Sequence, residues 1–209
     1  MILANRVVVY IDGFNLYYGM RSRGWRRYYW LDLRRLAGRL LRPGQTLAGV
    51  KYFTARVIPD AGSEDKARRQ NTYLEALATL ADVDIHYGYY LPKMQRCADC
   101  GATWQAYEEK MTDVNIAVEL LSDAYDDRFD TAIVISADSD LARPITTIRE
   151  RFPGKRVVVA FPPNRVSKLL RSVATAAFSI GRDALRDSQL KESIARQDGE
   201  TITRPSEWS

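Results

Sequence analysis

The chain has 209 residues, a net charge of +5, two cysteines and one histidine, with 46% apolar and 27% charged residues. Its length suits one domain, and its composition is that of a globular protein without a disulfide scaffold or a His-Glu-x-x-His zinc protease motif. No apolar run reaches the roughly 18 residues of a membrane helix, and no signal-peptide pattern follows Met1. We therefore expect a cytoplasmic protein that does not bind membranes.

Short β-rich runs alternate with helical periods, which is typical of an α/β fold with a mostly parallel sheet. The predicted strands, numbered 1 to 5 in chain order, cover 6–11, about 49–58, about 83–89, 131–136 and 156–161. Helices are predicted from about 15 and over about 31–41, 64–81, 111–125 and 141–151. Strand 1 is almost entirely Val and Ile, which indicates a central strand buried on both faces. The expected fold is doubly wound, with strand order 3-2-1-4-5, helices on both faces and a candidate edge strand at 174–180.

The segment 21–42 carries eight arginines against one acid, a net charge of +7, whereas the rest of the chain sums to −2. Such a cluster indicates polyanion binding, and the aromatic residues within it offer faces on which bases can stack. A solvated arginine-rich helix is the alternative, because arginines outnumber lysines 24 to 7 in the whole chain. The residues predicted to contact nucleic acid are Arg21, Arg23, Trp25, Arg26, Arg27, Trp30 and, later in the chain, Lys110.

We predict one domain over 1–186, interrupted by an inserted loop at about 91–104, and a polar C-terminal tail over 187–209. The loop holds Cys97 and Cys100 in a Cys-x-x-Cys spacing. A closed zinc site needs four ligands, so this pair could form half of a site that a homodimer completes. We favour a reduced free pair or a redox-labile loop, because one Cys-x-x-Cys is a weak signal.

Three aspartates follow two predicted strands that the expected order makes neighbours. Asp12 follows strand 1, whereas Asp138 and Asp140 follow strand 4. Ligands of open α/β sheets bind outside the carboxyl ends of the strands, where strand order reverses. Asp113, at the start of the helix before strand 4, can supply a fourth carboxylate to the same crevice.

Several carboxylates in one crevice repel each other and stay ionised only beside a cation. Oxygen ligands suit Mg²⁺ or Mn²⁺, and the chemistry this implies is metal-assisted phosphodiester hydrolysis. Each acid also has a structural alternative as a turn or helix-cap residue. Asn15 has two equal explanations: it orients a metal-bound water or a phosphate, or it makes a helix-start hydrogen bond.

Three sequence blocks resemble the NYN domain family, a branch of the PIN-like nucleases. They are 8–17 (VVYIDGFNLY), 110–114 (KMTDV) and 134–140 (VISADSD), in the family's order. The resemblance implies a PIN-like fold and divalent-metal-dependent ribonuclease activity. It also implies a metal site of Asp12, Asp113, Asp138 and Asp140 with Asn15 beside it. In many relatives a glycine stands where this chain has Ala137.

The sequence thus predicts an endoribonuclease that hydrolyses single-stranded RNA with Mg²⁺ or Mn²⁺. The alternative is a non-catalytic RNA-binding or regulatory module that uses segment 21–42. Haloacid-dehalogenase-like and Toprim folds fit less well. The first needs an Asp-x-Asp pair after strand 1 and the second a Glu there, and this chain has neither.

Overall fold

A computed structural model describes residues 5–59, 63–196 and 198–208; residues 1–4 and 60–62 of the predicted domain and residues 197 and 209 of the predicted tail lie outside them. The strands are β1 (Asn5–Asp12), β2 (Gln45–Ala55), β3 (Val83–Arg96), β4 (Thr103–Lys110), β5 (Thr131–Ile135), β6 (Arg156–Phe161), β7 (Ala176–Ser179), β8 (Ser193–Ala195) and β9 (Thr201–Thr203). The helices are α1 (Gly13–Ser22), α2 (Leu33–Leu40), α3 (Glu64–Ala78), α4 (Thr112–Tyr125), α5 (Ala142–Arg151), α6 (Lys168–Val173) and α7 (Arg182–Arg186). Short 3₁₀ turns cover Arg26–Tyr28, Ser139–Leu141 and Ser206–Trp208.

One sheet has the order β4-β3-β2-β1-β5-β6-β7, and β8 pairs with β9 separately. Neighbours in the large sheet are parallel except β3 and β4. The predicted α/β fold and strand order are confirmed, because predicted strands 4 and 5 are β5 and β6. The carboxyl ends of β1 and β5 consequently lie side by side, at the point where strand order reverses.

Two hydrophobic cores sandwich the sheet, and β1 contributes to both. Its residues Val7, Val9 and Ile11 pack with α1, α2 and α3, whereas Val8 and Tyr10 pack with α4 and α5. This alternation is the period of two that a strand imposes, and it explains why β1 is apolar throughout. Helices cover both faces, as predicted. Within the described residues, none of them has the length and apolar character needed to cross a membrane.

The predicted inserted loop at 91–104 is wrong over most of its length. Beyond Gly88, β3 leaves β2 and pairs only with β4, in a register that runs from Tyr89 opposite Lys110 to Arg96 opposite Thr103. We call this two-stranded projection, residues 89–110, the hairpin arm. Its sequence lacked a clear period because both faces of the arm are largely exposed, so neither had to be uniformly apolar.

The described residues of the predicted C-terminal tail, 187–196 and 198–208, pack onto the core through Leu190, Ile202 and Trp208. Leu190 donates its backbone N–H to the Trp30 carbonyl (2.9 Å), and Leu31 forms a β-bridge with Gln189. Trp208 is buried against Tyr29 and Trp30, with ring centroids 5.8 and 6.2 Å away. The polar composition of the segment concealed this role, because a few apolar side chains hold it in place.

Candidate metal centre

The predicted aspartates lie at the carboxyl edge of the sheet, each at the start of a helix or 3₁₀ turn. Asp12 ends β1 and caps α1, Asp113 lies in the first turn of α4, and Asp138 caps the turn Ser139–Leu141. These positions combine strand ends, which meet at one edge, with helix N-termini, which favour negative charge. Asp12 and Asp138 therefore serve as caps, whereas Asp113 and Asp140 lie in first turns at the same edge of the sheet.

Asp12 is buried, with 2% of its surface exposed, and it organises the floor of the crevice. It accepts hydrogen bonds from the Asn15 backbone N–H (2.9 Å), the Asn15 side-chain amide (2.6 Å) and the Ser136 hydroxyl (2.8 Å). Burial raises the pKa of Asp12, although these hydrogen bonds oppose the shift. The Ser136 oxygen also accepts from the Asp138 backbone N–H (3.0 Å), which links the ends of β1 and β5.

The other three predicted carboxylates form a close cluster. Ligand oxygens of Asp113, Asp138 and Asp140 all lie within 4.8 Å of one another. Burial and repulsion from Asp12 and Asp138 raise the pKa of Asp113 to about 7. The carboxylates of the cluster therefore repel each other unless a cation neutralises them. Their oxygens are the ligands that Mg²⁺ and Mn²⁺ prefer.

A fifth acid near the cluster escaped the sequence reasoning. Glu109 accepts hydrogen bonds from the backbone N–H of Thr112 (3.1 Å) and from its hydroxyl, and it contributes to the raised pKa of Asp113. Its neighbour Lys110 pairs with Glu108, with 2.7 Å between nitrogen and oxygen. The positive charge predicted at Lys110 is thus already offset by a carboxylate.

Arg165 is a second residue that the sequence reasoning missed. Its guanidinium donates to Oδ1 of Asn15 (3.0 Å) and lies 5.9 Å from the ring centroid of Tyr18. Arg165 follows β6, the parallel neighbour of β5, so it reaches the same edge of the sheet as the aspartates. The available signal was its place after a third parallel strand, but the prediction ended that strand at residue 161 and named no site residue after it.

The structure divides the predicted nucleic-acid surface into two parts. On α2, Arg34 and Arg39 pair with Asp82 (3.5 Å) and Asp187 (3.2 Å). The exposed arginines at and after the end of α1 have no ion-pair partner among the residues described. We call this second group the arginine cluster: Arg21, Arg23, Arg26 and Arg27.

The two predicted stacking tryptophans differ. Trp25 is half-buried beside Tyr28, with ring centroids 6.0 Å apart, and retains some exposed surface. Trp30 is fully buried and donates its indole N–H to the carbonyl of Lys191 (2.8 Å). The prediction that Trp30 stacks on a base is therefore wrong, because the C-terminal segment covers it.

An aromatic cavity of about 110 Å³ lies beside α1, on the face of the sheet that α3 covers. Gly13, directly after Asp12, is one of its lining residues, so the cavity lies next to the floor of the acidic crevice. A Cβ at Gly13 would lie 2.7 Å from the Phe53 carbonyl oxygen, so the start of α1 needs glycine there. The aromatic lining comprises Phe14, Tyr17, Tyr18, Tyr29, Tyr52, Tyr73 and Trp208.

Comparisons with known proteins place this fold and its blocks in a family. The chain is similar to 6-hydroxy-3-succinoylpyridine 3-monooxygenase HspA of Pseudomonas putida, with 33% identity over 177 residues, 69% of this chain and 55% of that protein. It thus spans about half the length of that relative. The fold is similar to that of a protein of unknown function from Vibrio parahaemolyticus, with TM-score 0.54 and 19% identity over 88% of this chain and 97% of that one. A model of the NYN domain matches residues 6–181. With this match across most of its length, the chain belongs to the NYN domain family, a family of PIN-like ribonucleases.

Proposed function

We propose that this chain is a divalent-metal-dependent endoribonuclease that hydrolyses phosphodiester bonds in single-stranded RNA. The observation that carries the proposal is the set of three carboxylates, Asp113, Asp138 and Asp140, within 4.8 Å at the carboxyl edge of the sheet. Family membership supports the same class of chemistry. Together they favour an enzyme over a module that only binds RNA.

The residues of the crevice fit Mg²⁺ or Mn²⁺. Asp113, Asp138 and Asp140 would hold the ion through carboxylate oxygens, and we propose Asp12 as the fourth carboxylate of the site. Such an ion, when bound, activates water for attack and stabilises the leaving oxygen. Asp12 also fixes Asn15 and Ser136 by hydrogen bonds, so it keeps the floor of the crevice rigid.

Arg165 is proposed to bind the phosphate that enters the crevice. Its contact with Asn15 leaves other guanidinium N–H groups for a phosphate oxygen, and the ring of Tyr18 supports the planar group. Positive charge fixed in this way favours the extra negative charge that develops during hydrolysis. Asn15 is then a positioning residue, because it orients Arg165 and Asp12 at once.

Replacing Arg165 by alanine is expected to lower kcat on single-stranded RNA by on the order of 100-fold. Arg165→Lys keeps the charge but loses the forked geometry, so its kcat should be intermediate. Arg156→Ala is the matched control, because this exposed arginine begins the same strand at the opposite edge of the sheet. Equal kcat values for Arg165→Ala and Arg156→Ala would remove Arg165 from the site.

The arginine cluster is proposed to draw the RNA strand toward the crevice, because four carboxylates repel a polyanion until metal binds. We expect Arg23→Ala, Arg26→Ala and Arg27→Ala together to weaken RNA binding. They should also flatten its salt dependence by roughly 0.7 per lost phosphate contact, while metal affinity stays unchanged. Binding is measured across a salt series with Asp138→Asn present, so that the RNA stays intact.

The matched control for the arginine cluster removes the same number of charges from α2. Arg34 and Arg39 already pair with acids, and Arg35 lies beside the Gln189 carbonyl, so alanine at all three should change the salt slope little. If both triple variants alter the slope equally, the cluster acts only through net charge, and the strand enters by another route.

Cleavage of labelled oligonucleotides by the full chain tests the proposed activity directly. We expect single-stranded RNA to be cut with Mg²⁺ or Mn²⁺ and to survive in excess chelator, whereas duplex DNA should be spared. RNA that binds with micromolar or better affinity yet is never cut would support the non-catalytic module instead. Equal cleavage of duplex DNA would reject the RNA assignment.

A second candidate function is oxidation of a small aromatic ring. The relative from Pseudomonas putida is named a monooxygenase of a hydroxylated pyridine, and seven aromatic side chains line the cavity beside α1. The cavity volume of about 110 Å³ is smaller than the roughly 150 Å³ of a cavity that accepts benzene, so a substituted pyridine would bind there only if lining side chains move. Incubation with 6-hydroxy-3-succinoylpyridine, oxygen and NADH tests this candidate: coupled loss of the pyridine and NADH, in the absence of RNA cleavage, would favour it.

A further inference from the structure

The tip of the hairpin arm has a backbone arrangement suited to half of a zinc site. Cys97 donates its backbone N–H to the Ala102 carbonyl (2.8 Å), and Gly101, in the left-handed region with φ +70°, donates to the Cys97 carbonyl (3.1 Å). The Cys97 sulfur also accepts from the backbone N–H groups of Cys100 and Asp99. The turn thus places two thiols near its surface, with Cys97 half-buried and Cys100 exposed, where a metal ion can reach them.

One chain lacks the ligands to close such a site. Its two cysteines are both in this turn, and its single histidine, His86, is eleven residues before Cys97 on the same strand. At about 3.3 Å per residue, that separation is roughly 36 Å. His86 also stacks on Phe53, with ring centroids 4.8 Å apart, in the part of β3 that pairs with β2. A tetrahedral sulfur site at the tip therefore requires a second pair of thiolates from outside this chain.

The arm leading to this turn exposes large apolar side chains on one face. Residues opposite each other in the antiparallel register share a face, so Tyr89, Leu91 and Trp104 lie on the same face, interspersed with Lys93, Gln95, Glu108 and Lys110. The three large side chains are 51%, 45% and 47% exposed, and Glu108 pairs with both lysines. A two-stranded ribbon is marginally stable alone, and aromatic side chains are enriched at protein interfaces.

We propose that the hairpin arm joins two copies of this chain and that one zinc ion at its tip is shared between them through Cys97 and Cys100 of each copy. A two-fold axis along the arm sets this face of one copy against the same face of the other and brings the two tips together. The half-site and the exposed face are separate observations, and both favour a second copy of this chain as the binding partner. The inference does not depend on nuclease activity.

The test measures zinc content and mass of the full chain purified with zinc present. We expect one zinc per two chains and a particle of twice the 23.8 kDa chain mass. Titration with a thiol reagent should release one zinc for every four thiols modified. Replacing Zn²⁺ by Co²⁺ should give the intense sulfur-to-cobalt charge-transfer bands of a tetrahedral site with four thiolates.

Variants separate the two parts of the proposal. Cys97→Ser with Cys100→Ser should abolish zinc binding and shift the protein to monomer. Leu91→Lys, on the face that carries Tyr89 and Trp104, should weaken the dimer at least tenfold and reduce bound zinc. Met94→Lys is the matched control, because Met94 is 66% exposed on the opposite face of the arm and should leave dimer and zinc unchanged.

Three results would overturn the proposal. One zinc per chain in a monomer would mean that other ligands, such as the Asp99 carboxylate and water, complete the site. A zinc-free protein with a disulfide between Cys97 and Cys100 would make the turn a redox element. A dimer unaffected by the cysteine and Leu91 variants would place the interface elsewhere.

Discussion

Asp138→Asn is expected to reduce cleavage of single-stranded RNA by about 1000-fold or more at saturating Mn²⁺. Asparagine keeps the side-chain oxygen that accepts from the Asp140 backbone N–H (3.0 Å), so the turn after β5 should persist. What disappears is a negative charge beside Asp113 and Asp140, on which cation binding depends. A bound metal contributes several kcal/mol to the transition state, which corresponds to this loss of rate.

The control for this variant is Asp84→Asn. Asp84 is exposed near the start of β3, at the opposite edge of the sheet from the aspartates. The Asp84→Asn protein should therefore cleave RNA at the wild-type rate. Asp12→Asn should be as inactive as Asp138→Asn, because it removes the buried charge that holds Asn15 and Ser136. Cleavage that survives both Asp138→Asn and chelation would reject the carboxylate site as the source of activity.

Asp113→Asn is expected to stabilise the metal-free protein at high pH while abolishing its activity. The folded state raises the pKa of Asp113 from 3.8 to about 7, mainly through burial and the charges of Asp12 and Asp138. Between these values the unfolded chain loses the proton and the folded chain keeps it, so wild-type stability falls as the pH rises. Allowing for partial exposure, the gain from Asn should be on the order of 2 kcal/mol larger at pH 8 than at pH 5.

Urea unfolding in chelator at both pH values measures this difference, with Asp84→Asn as the variant whose effect should not depend on pH. Adding Mn²⁺ at pH 8 should stabilise wild type and leave Asp113→Asn nearly unchanged, because the ion relieves the repulsion at this site. A gain for Asp113→Asn that is equal at pH 5 and pH 8 would show that Asp113 titrates normally.

The sequence predicted the central sheet because β1 and β5 are short, apolar and buried on both faces. A continuous apolar run of this length indicates both a strand and its central position in the sheet. It also predicted that the carboxyl ends of β1 and β5, which Asp12 and Asp138 follow or end, are neighbours, because strand order determines which ends lie side by side. Both predictions rest on local patterns with a fixed geometric consequence.

Other features depend on contacts between distant segments, and the sequence concealed them. Trp30 lies in a basic segment, yet residues more than 150 positions later cover it. Arg165 is positioned by the end of β6 and by its hydrogen bond to Asn15. No periodic pattern in the local sequence indicates either contact. The hairpin arm lacks a buried face, so its strands were mistaken for a loop.

Crystals of the full chain grown with Mn²⁺ and measured for its anomalous scattering would test the central claim most directly. We predict a peak about 2.0–2.3 Å from carboxylate oxygens of Asp113 and Asp138, with Asp140 nearby, and its disappearance in crystals of Asp138→Asn. A crevice without a peak at saturating Mn²⁺, in crystals whose carboxylates are accessible and ordered, would contradict the proposal that these acids form a metal site.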